Sequence, residues 1–501
     1  MKRILIILLT CSLLIPCLMA CEKGKKTPDT TQETYRGDDE TSPYDADGYL
    51  RDDLPADLKY NDEIRILYWQ NGELGKGEFD PDEKETETIQ RAVYTRNVAT
   101  EERLDVSLKW VGTNGTGQGQ EPQNFVNTVV AAQSGGERDR FDLIAGYSQN
   151  MGTLAVQGLV LDLLTSSKYL NLEKPWWPSS VTENLTVSDK LYFASGDISI
   201  SFLAAIINVF VNKEYCATTN LYDLVYNDEW TLETMLNMVK DQYFDGDGDD
   251  KKSHEDRFGV VVPWLSYLDG FFYGSNLITV DHDANGALHV SSGYVGEKAD
   301  DLCEMLKGLF HQSNDGWLTN EAATVDDFAK GNAMMMVGTG STILVNDCMK
   351  DTSVDYAILP MPKYNENQKD YKTVVLNLFT LWSISAGCNQ AQAERAGAVM
   401  ECLASGGYRT VTPVLYDRCL KTRYAKDGDT GKMYDIIHAG TVLDPGRVFA
   451  KAALDSITQE KWQRSVIYDT VWGAQSTVVD AQLQELLDRL CDAFRKNETI
   501  N

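Results

Sequence analysis

Short apolar segments alternate with amphipathic segments along most of the chain. Continuous apolar runs predict buried strands, whereas apolar residues that recur with the helical repeat predict helices packed on one face. The predicted strands are residues 63–69, 106–111, 141–146, 198–211, 258–262 and 334–337. The predicted helices are residues 86–104, 125–132 and 232–239. This strand–helix–strand order predicts an α/β fold built on a mostly parallel sheet.

The N-terminus has the layout of an export signal. Lys2 and Arg3 precede the apolar residues 4–18, and the small Ala20 stands directly before Cys21. The stretch LMAC resembles a bacterial lipobox, in which the cysteine is diacylated and becomes the first mature residue. We therefore expect a lipoprotein signal peptide and lipidation at Cys21. Plain secretion and an N-terminal membrane span are the alternatives, although the apolar run is short for a span.

The signal peptide, residues 1–20, is followed by an acidic segment. Residues 22–57 contain eleven Asp and Glu against five Lys and Arg, and few large apolar side chains. Such a composition buries too little surface to offset the entropy of ordering. Residues 21–57 are therefore predicted to be a lipidated, disordered tether. The body beyond residue 58 is too long for one hydrophobic core and is predicted to split into two lobes.

The formal net charge is −29, from 75 acidic and 46 basic residues. This balance argues against nucleic acid and against broad contact with anionic lipid headgroups, because both are polyanions. We therefore expect membrane contact through the lipid anchor only. Seven cysteines follow Cys21, with wide spacings and no CxxC pair, so mostly buried free thiols are expected instead of a disulfide framework or zinc site.

Catalytic motifs are scarce in the sequence. It contains no phosphate-binding GxxxxGK[ST] loop, no HExxH pair and no GxSxG elbow. The five histidines form no close pair with metal-ligand spacing. A pair of catalytic carboxylates could still be close in space, as in glycosidases, but no pair can be chosen from the sequence. We expect a protein that is not an enzyme.

One acidic loop has the oxygen spacing of a calcium site. Counted from Asp245, oxygen-bearing side chains fall at the positions that a calcium loop uses. Asp250 replaces the usual turn glycine, and Asp256 is shorter than the usual bidentate Glu. The alternative is an exposed acidic turn. The candidate ligands of a structural calcium ion are Asp245, Asp247, Asp249 and Asp256. No other cofactor is expected.

Several segments together resemble one family, the extracellular solute-binding lipoproteins of ABC importers, of the maltose-binding-protein-like type. Residues 327–338, DFAKGNAMMMVG, resemble its FxxGKAAMxxxG signature, with a departure at Asn332. The segment 358–364, ILPMPKY, is similar to its PxPKY stretch. Weaker similarity is found at residues 141–163, 191–197 and 416–436.

The resemblance implies a type II periplasmic-binding-protein-like clamshell with a ligand cleft between its lobes. Lobe 1 would comprise residues 58–200 and 372–412. Lobe 2 would comprise residues 201–371 and 413–501, with the C-terminal helices packed mainly on it. The protein would be a monomer on the outer face of the cytoplasmic membrane. It would close around a small solute and deliver it to the permease subunits of an ABC transporter.

Candidate ligand-binding residues are chosen at strand ends, because open α/β sheets bind ligands at the carboxyl edge of their strands. A sugar presents an apolar ring face to aromatic side chains and hydroxyl groups to polar ones. The chosen residues are Trp69, Gln70, Tyr147, Asp197, Trp264, Tyr267, Gly338, Gly340 and Ser341. The last three belong to a predicted loop, residues 338–341. Trp382 is expected to be packing, and Trp176 and Trp177 either line the cleft rim or cap a lobe.

The sequence is compatible with other functions. A mono- or oligosaccharide is the expected ligand, and peptides, polyamines and lipid precursors are alternatives. A surface-anchored carbohydrate-active enzyme and a glycan-capture lipoprotein are alternatives of a different class. The named strand-end residues do not decide among them.

Overall fold

The computed structural model describes residues 42–72, 74–116, 119–135, 140–420, 429–449 and 458–497. Its contacts divide the chain into two units, Met1–Arg51 and Asp52–Asn501. In the first unit, Tyr44 and Leu50 form an antiparallel bridge around a turn. The predicted signal peptide and Cys21 lie outside the described residues.

The second unit begins earlier than the sequence predicts. Leu54 is buried, and the Asp53 carboxylate accepts a hydrogen bond from Lys174 Nζ at 2.7 Å. The Asp52 carboxylate accepts one from Ser405 Oγ at 3.0 Å. At the end of the predicted tether, Leu54 is therefore buried and the two aspartates that precede it have polar partners in the body of the chain.

One sheet has four strands in the order β12–β3–β1–β2. Strands β1, β2 and β3 are parallel, and β12 is antiparallel to β3. The central strand β3 is buried at all five positions, which explains its uninterrupted run of apolar and small residues. The bounds are β1 Asp62–Trp69, β2 Val106–Thr113, β3 Leu143–Tyr147 and β12 Thr380–Ile384.

A second sheet has five strands in the order β10–β4–β9–β5–β8. Strands β9, β5 and β8 are parallel, whereas β4 is antiparallel to both of its neighbours. The bounds are β4 Ile207–Asn212, β5 Phe258–Val262, β8 Gly316–Leu318, β9 Ala333–Thr339 and β10 Tyr356–Leu359. Two small pairs complete the strands: β6 Val280–His282 with β7 Leu288–Val290, and β11 Thr373–Val374 with β13 Thr441–Val442. The two sheets form the cores of a two-lobed α/β fold.

Helices surround and connect these sheets. The helix that follows β1 begins where the Glu87 side chain accepts from the Ile89 backbone N–H, and it ends at Asp105, which is left-handed. The helices up to residue 345 are α1 Thr88–Leu104, α2 Glu121–Ser134, α3 Ser148–Val156, α4 Leu163–Ser166, α5 Ser179–Leu185, α6 Ile200–Ala204, α7 Leu221–Tyr226, α8 Leu232–Val239, α9 Leu268–Gly274, α10 Glu297–Lys307, α11 Ala323–Ala329 and α12 Gly340–Val345. The later helices are α13 Asp347–Asp351, α14 Gln390–Gly406, α15 Thr412–Leu420, α16 Asp429–Ala439, α17 Pro445–Val448, α18 Thr458–Ile467 and α19 Gly473–Asn497.

Two segments pass side by side between the sheets. The first leads from β3 to β4, and the second leads from β10 to β12. An isolated bridge between Ile206 and Val375 joins the two segments, and another pairs Ala194 of the first segment with Trp382 of β12. Because β11 belongs to the second segment and pairs with β13, the C-terminal part of the chain also meets these crossings.

The C-terminal helix α19 contacts elements of both lobes. Phe494 stacks on Tyr192, with ring centroids 5.0 Å apart, and Tyr192 is held to β12 through Ser383 Oγ at 2.6 Å. On the other side, Gln484 Oε1 accepts from the Val290 backbone N–H of β7 at 3.0 Å. The side chains of this helix therefore connect the β6–β7 pair with a residue beside the first sheet.

Two predicted elements differ from the structure. The predicted strand 198–211 contains the helix α6, and only its second half is the strand β4. The predicted loop 338–341 does not exist as a loop, because β9 continues to Thr339 and α12 starts at Gly340. A capping box between Thr339 and Thr342 closes the start of that helix.

The predicted thiol state is confirmed for the described cysteines, which are free and mostly buried: Cys216, Cys303, Cys348, Cys388, Cys402 and Cys491. The side chain of Cys419 lies outside the described residues. Among the helices of the described ranges, none combines the length and the apolar character that a membrane crossing requires.

Candidate functional site

The carboxyl edge of the first sheet brings two predicted site residues together. Trp69 ends β1 and Tyr147 ends the parallel strand β3, so both lie at the same edge. Their ring centroids are 5.5 Å apart with an interplanar angle of 31°. Both side chains are buried, and Trp69 Nε1 donates to Thr380 Oγ1 at 2.8 Å. This buried aromatic pair, Trp69 and Tyr147, lies beneath the carboxyl edge of the sheet and is called the floor below.

A buried carboxylate connects this floor to the crossing segments. Glu78 Oε1 accepts from Ser199 Oγ at 2.6 Å, from Ser201 Oγ at 2.7 Å and from Thr380 Oγ1 at 3.2 Å. Burial raises the pKa of Glu78, and these hydrogen bonds oppose the shift. Sequence reasoning missed Glu78, because a single Glu in a polar loop carries no signal of burial.

A polar rim lies at the same edge of the first sheet. Gln70 Nε2 donates to Asn114 Oδ1 at 3.0 Å, and Asn71 Nδ2 donates to Glu121 Oε2 at 2.8 Å. Thr116 Oγ1 also donates to Glu121, and these bonds lower the pKa of that carboxyl. Gln70 was predicted. Asn114 follows β2, so the strand-end rule could have found it too.

The second sheet places the other predicted residues at its own carboxyl edge. Trp264 and Tyr267 follow β5, with ring centroids 5.9 Å apart at 73°. Gly340 and Ser341 begin α12 directly after the parallel strand β9. Gly338 lies within β9, and a Cβ there would stand 2.7 Å from the Phe210 ring, which indicates packing. Trp264 is partly exposed, unlike Trp69.

Asp197 lies apart from these groups. Its side chain is buried in the first crossing segment and accepts a hydrogen bond from Thr412 Oγ1, while its Oδ2 has no hydrogen-bond partner in the described part of the chain. Burial raises the pKa of Asp197 to about 7. These contacts favour a role in packing the crossing over a role in ligand contact.

Three further tryptophans considered in the sequence pack close to the first sheet. Trp176 and Trp177 are buried, and their Nε1 groups donate to the Glu401 carboxylate at 3.2 and 2.9 Å. Burial raises the pKa of Glu401 to about 7. Trp382 is buried against Trp110, with ring centroids 6.2 Å apart. The two loop tryptophans therefore cap the lobe.

A third segment reaches the site region from the C-terminal part of the chain. Arg447 in α17 donates from Nε to Asn377 Oδ1 at 2.9 Å, and its NH2 lies 3.2 Å from Asp269 Oδ2. The Asn377 carbonyl accepts from Ser148 Oγ at 2.7 Å. Arg447 also stands over the Tyr273 ring, 5.5 Å from its centroid. This chain of contacts joins α9 of the second lobe to the start of α3 in the first.

Comparison with known proteins identifies the family. The family model described as bacterial extracellular solute-binding protein matches residues 118–407, more than half of the 501 residues. The chain belongs to this family. No curated protein sequence gives a significant match to this solute-binding protein.

Solved structures confirm the fold of the solute-binding protein. One is a cyclo/maltodextrin-binding protein complexed with maltotetraose, 12% identical, with a TM-score of 0.56 over 86% of this chain and 98% of the other. Another is the maltose/maltodextrin-binding domain MalE from Bdellovibrio bacteriovorus bound to maltotriose, 16% identical, with a TM-score of 0.50 over 85% and 100%. The predicted maltose-binding-protein-like, type II clamshell is therefore confirmed.

The acidic loop of the solute-binding protein is separate from both strand edges. Candidate ligand atoms of Asp245, Asp247 and Asp249 lie within 4.8 Å of one another. Asp256 is buried and accepts from the backbone N–H groups of Gly246 at 2.9 Å and Ser253 at 2.8 Å. Three aspartates could thus hold a cation, while Asp256 orders the loop around them.

Proposed function

We propose that this solute-binding protein captures a carbohydrate between its lobes and delivers it to an ABC importer. The observation that carries the proposal is the presence of an aromatic pair at the carboxyl edge of each sheet, Trp69 with Tyr147 and Trp264 with Tyr267. Aromatic faces with nearby amide and carboxylate groups suit sugar rings and their hydroxyls. The maltotetraose and maltotriose bound by the two similar structures support this ligand class.

Capture requires that the solute binds the closed state more tightly than the open state, and it needs no covalent step. A solute that contacts both lobes stabilises the closed state relative to the open one and so shifts the population towards closure. In this proposal the lobe of residues 58–200 and 372–412, extended at its start by the ordered residues 52–57, moves against residues 201–371 and 413–501. The permease subunits then recognise the closed form.

The location of capture is also part of the proposal. Cleavage before Cys21 and its lipidation would hold the protein on the outer face of the cytoplasmic membrane, with the acidic residues that follow as a tether. A Cys21→Ala variant should be released into the medium or periplasm, and cell fractionation would detect it. An equal membrane fraction for this variant and the wild type would contradict the anchor.

A thermal-shift screen tests the ligand class. The soluble body from residue 52 would be screened against neutral and acidic oligosaccharides, peptides and polyamines. A ligand that binds only the folded state at about 100 times its Kd adds about 2.7 kcal/mol of stability, which raises the melting temperature. Shifts with peptides or polyamines alone would contradict carbohydrate capture. Chromatography of each sugar that binds would show cleaved products if the protein were an enzyme.

A further inference from the structure

Two buried side chains carry polar groups without hydrogen-bond partners where α3 packs on α17. Arg447 is 3% exposed, and its NH1 and NH2 groups donate no hydrogen bond to any described residue. The Asp269 carboxylate balances the charge as an ion pair but does not accept a hydrogen bond from NH2. Gln149 is 1% exposed, and neither its Nε2 nor its Oε1 has a partner in the described ranges.

The two side chains belong to elements in direct contact. Gln149 is the second residue of α3, directly after the strand end that carries Tyr147. Gly152 lies three residues further along the helix and therefore shares a face with Gln149. A Cβ on Gly152 would stand 2.5 Å from the carbonyl oxygen of Val448, the neighbour of Arg447. The face of α3 that carries Gln149 is thus directed at the segment that carries Arg447.

Such groups are rare in folded proteins. Buried donors and acceptors are nearly always paired, because an unpaired one keeps the full cost of its desolvation. Destabilising arrangements persist where function needs them. Here three donor groups and one acceptor lie on two elements in contact, α17 and the helix α3 that directly follows Tyr147. A hydroxyl-bearing ligand can both accept from such donors and donate to such an acceptor.

We propose that Arg447 and Gln149 contact the solute, with the Arg447 NH1 and NH2 groups donating to its hydroxyl oxygens. The Gln149 amide would donate to one hydroxyl through Nε2 and accept from another through Oε1. This inference rests on the proposed function and specifies its ligand. Asp269 already neutralises Arg447, and the chain carries a net charge of −29, so the site suits a neutral sugar and disfavours a carboxylate-bearing one.

The arrangement also explains how the solute would hold the lobes together. Arg447 is fixed by Asp269 of α9 and by Asn377 of the second crossing segment. Gln149 belongs to α3, which follows the first sheet. A sugar bound by both side chains therefore contacts both lobes, and its affinity for the closed form exceeds that for the open form.

The test uses Gln149→Met, which keeps the length of the side chain and removes its polar atoms. Without ligand, this variant should melt at a higher temperature than the wild type, because two unsatisfied groups are removed. Its affinity for the neutral sugars, measured by calorimetry with maltotriose, maltotetraose and cello- and xylo-oligosaccharides, should fall by about tenfold or more. Arg447→Lys retains the ion pair with Asp269 but not the planar donor fork, and should weaken binding similarly.

Gln133→Met is the matched control. Gln133 Nε2 donates to the Leu159 carbonyl at 2.8 Å, so the same substitution there should lower the melting temperature and leave affinity unchanged. Wild-type affinity in Gln149→Met, together with a lowered melting temperature, would overturn the inference while leaving the proposed function intact. A wild type that binds neither neutral nor acidic sugars would overturn both. Preference for uronic-acid oligosaccharides would overturn the assignment of a neutral ligand.

Discussion

Glu78 and Thr380 are 302 positions apart in sequence, yet Thr380 Oγ1 donates to Glu78 Oε1 at 3.2 Å in the buried interior. The same carboxylate oxygen accepts hydrogen bonds from the hydroxyl groups of Ser199 and Ser201 in the first crossing segment. Thr380, at the end of the second crossing, also accepts from Trp69. One carboxylate therefore fixes both crossings against the floor of the first lobe.

Removal of this carboxylate should destabilise the fold. Glu78→Ala leaves several buried donors without an acceptor, and we expect a loss of about 3 kcal/mol in the free energy of unfolding by urea. Glu63→Ala is the control, because the exposed Glu63 carboxylate forms long ion pairs with Arg65 at 4.0 Å and Lys109 at 3.6 Å. This substitution should change stability by less than about 0.5 kcal/mol. Equal effects of the two substitutions would show that the Glu78 network is unimportant.

The pKa of Asp197 predicts a pH-dependent stability. Its folded pKa, about 7, exceeds its unfolded value of about 3.9, so the folded state binds more protons between these values. Stability should therefore fall as the pH rises from about 4 to about 7, and remain lower above that range. Asp197→Asn should flatten this dependence, as measured by chemical unfolding at pH 5 and pH 8. A variant with the same slope as the wild type would show that Asp197 does not titrate in this range.

The two predicted ligand tryptophans should respond differently to truncation. Trp264 is partly exposed, so Trp264→Ala should weaken sugar binding roughly tenfold and leave the melting temperature nearly unchanged. Trp69 is 1% exposed and bonded to Thr380, so Trp69→Ala should cost about 3–5 kcal/mol of stability. Calorimetry and thermal melting separate the two effects. Unchanged binding in Trp264→Ala would remove it from the site.

Calcium should stabilise the protein if the acidic loop binds it. A melting temperature that rises with added calcium and falls with a chelator is the expected result, since an ion bound only to the folded state adds stability. Asp247→Asn should abolish this shift by removing one ligand charge. Asp250→Asn is a suitable control, because Asp250 has a φ of +60°, which Asn tolerates. An identical calcium response in all three proteins, or none in the wild type, would exclude the site.

Local patterns predicted much of the fold. The strand Phe258–Val262 and the helix Leu232–Val239 agree at both ends with the sequence-based prediction, because each has a uniform period and clear flanking residues. The helix Ile200–Ala204 was missed, since all five residues are buried and no polar face reveals the helical repeat. Burial on every side makes a short helix and a strand look alike in sequence.

The candidate site was only partly predictable for a different reason. The strand-end rule found Trp69 and Tyr147, because parallel strands place their carboxyl ends at one edge. The rule could not find Arg447, because this residue belongs to a short C-terminal helix and not to a strand end. Its contacts with Asn377 and Asp269 place it near the candidate site. These contacts join residues that are far apart in sequence, and the local pattern of apolar and polar residues does not predict them.

The helix Gly473–Asn497 has a consequence for how the molecule matures. It follows the strands of both sheets in sequence, and through Phe494 and Gln484 it contacts Tyr192 and Val290. The first sheet is likewise incomplete until the strand Thr380–Ile384 has been synthesised, long after its neighbour Leu143–Tyr147. An emerging N-terminal part therefore cannot reach the final arrangement by itself. For an extracellular solute-binding protein, this order of assembly delays completion of the fold until the later strand and helix are present.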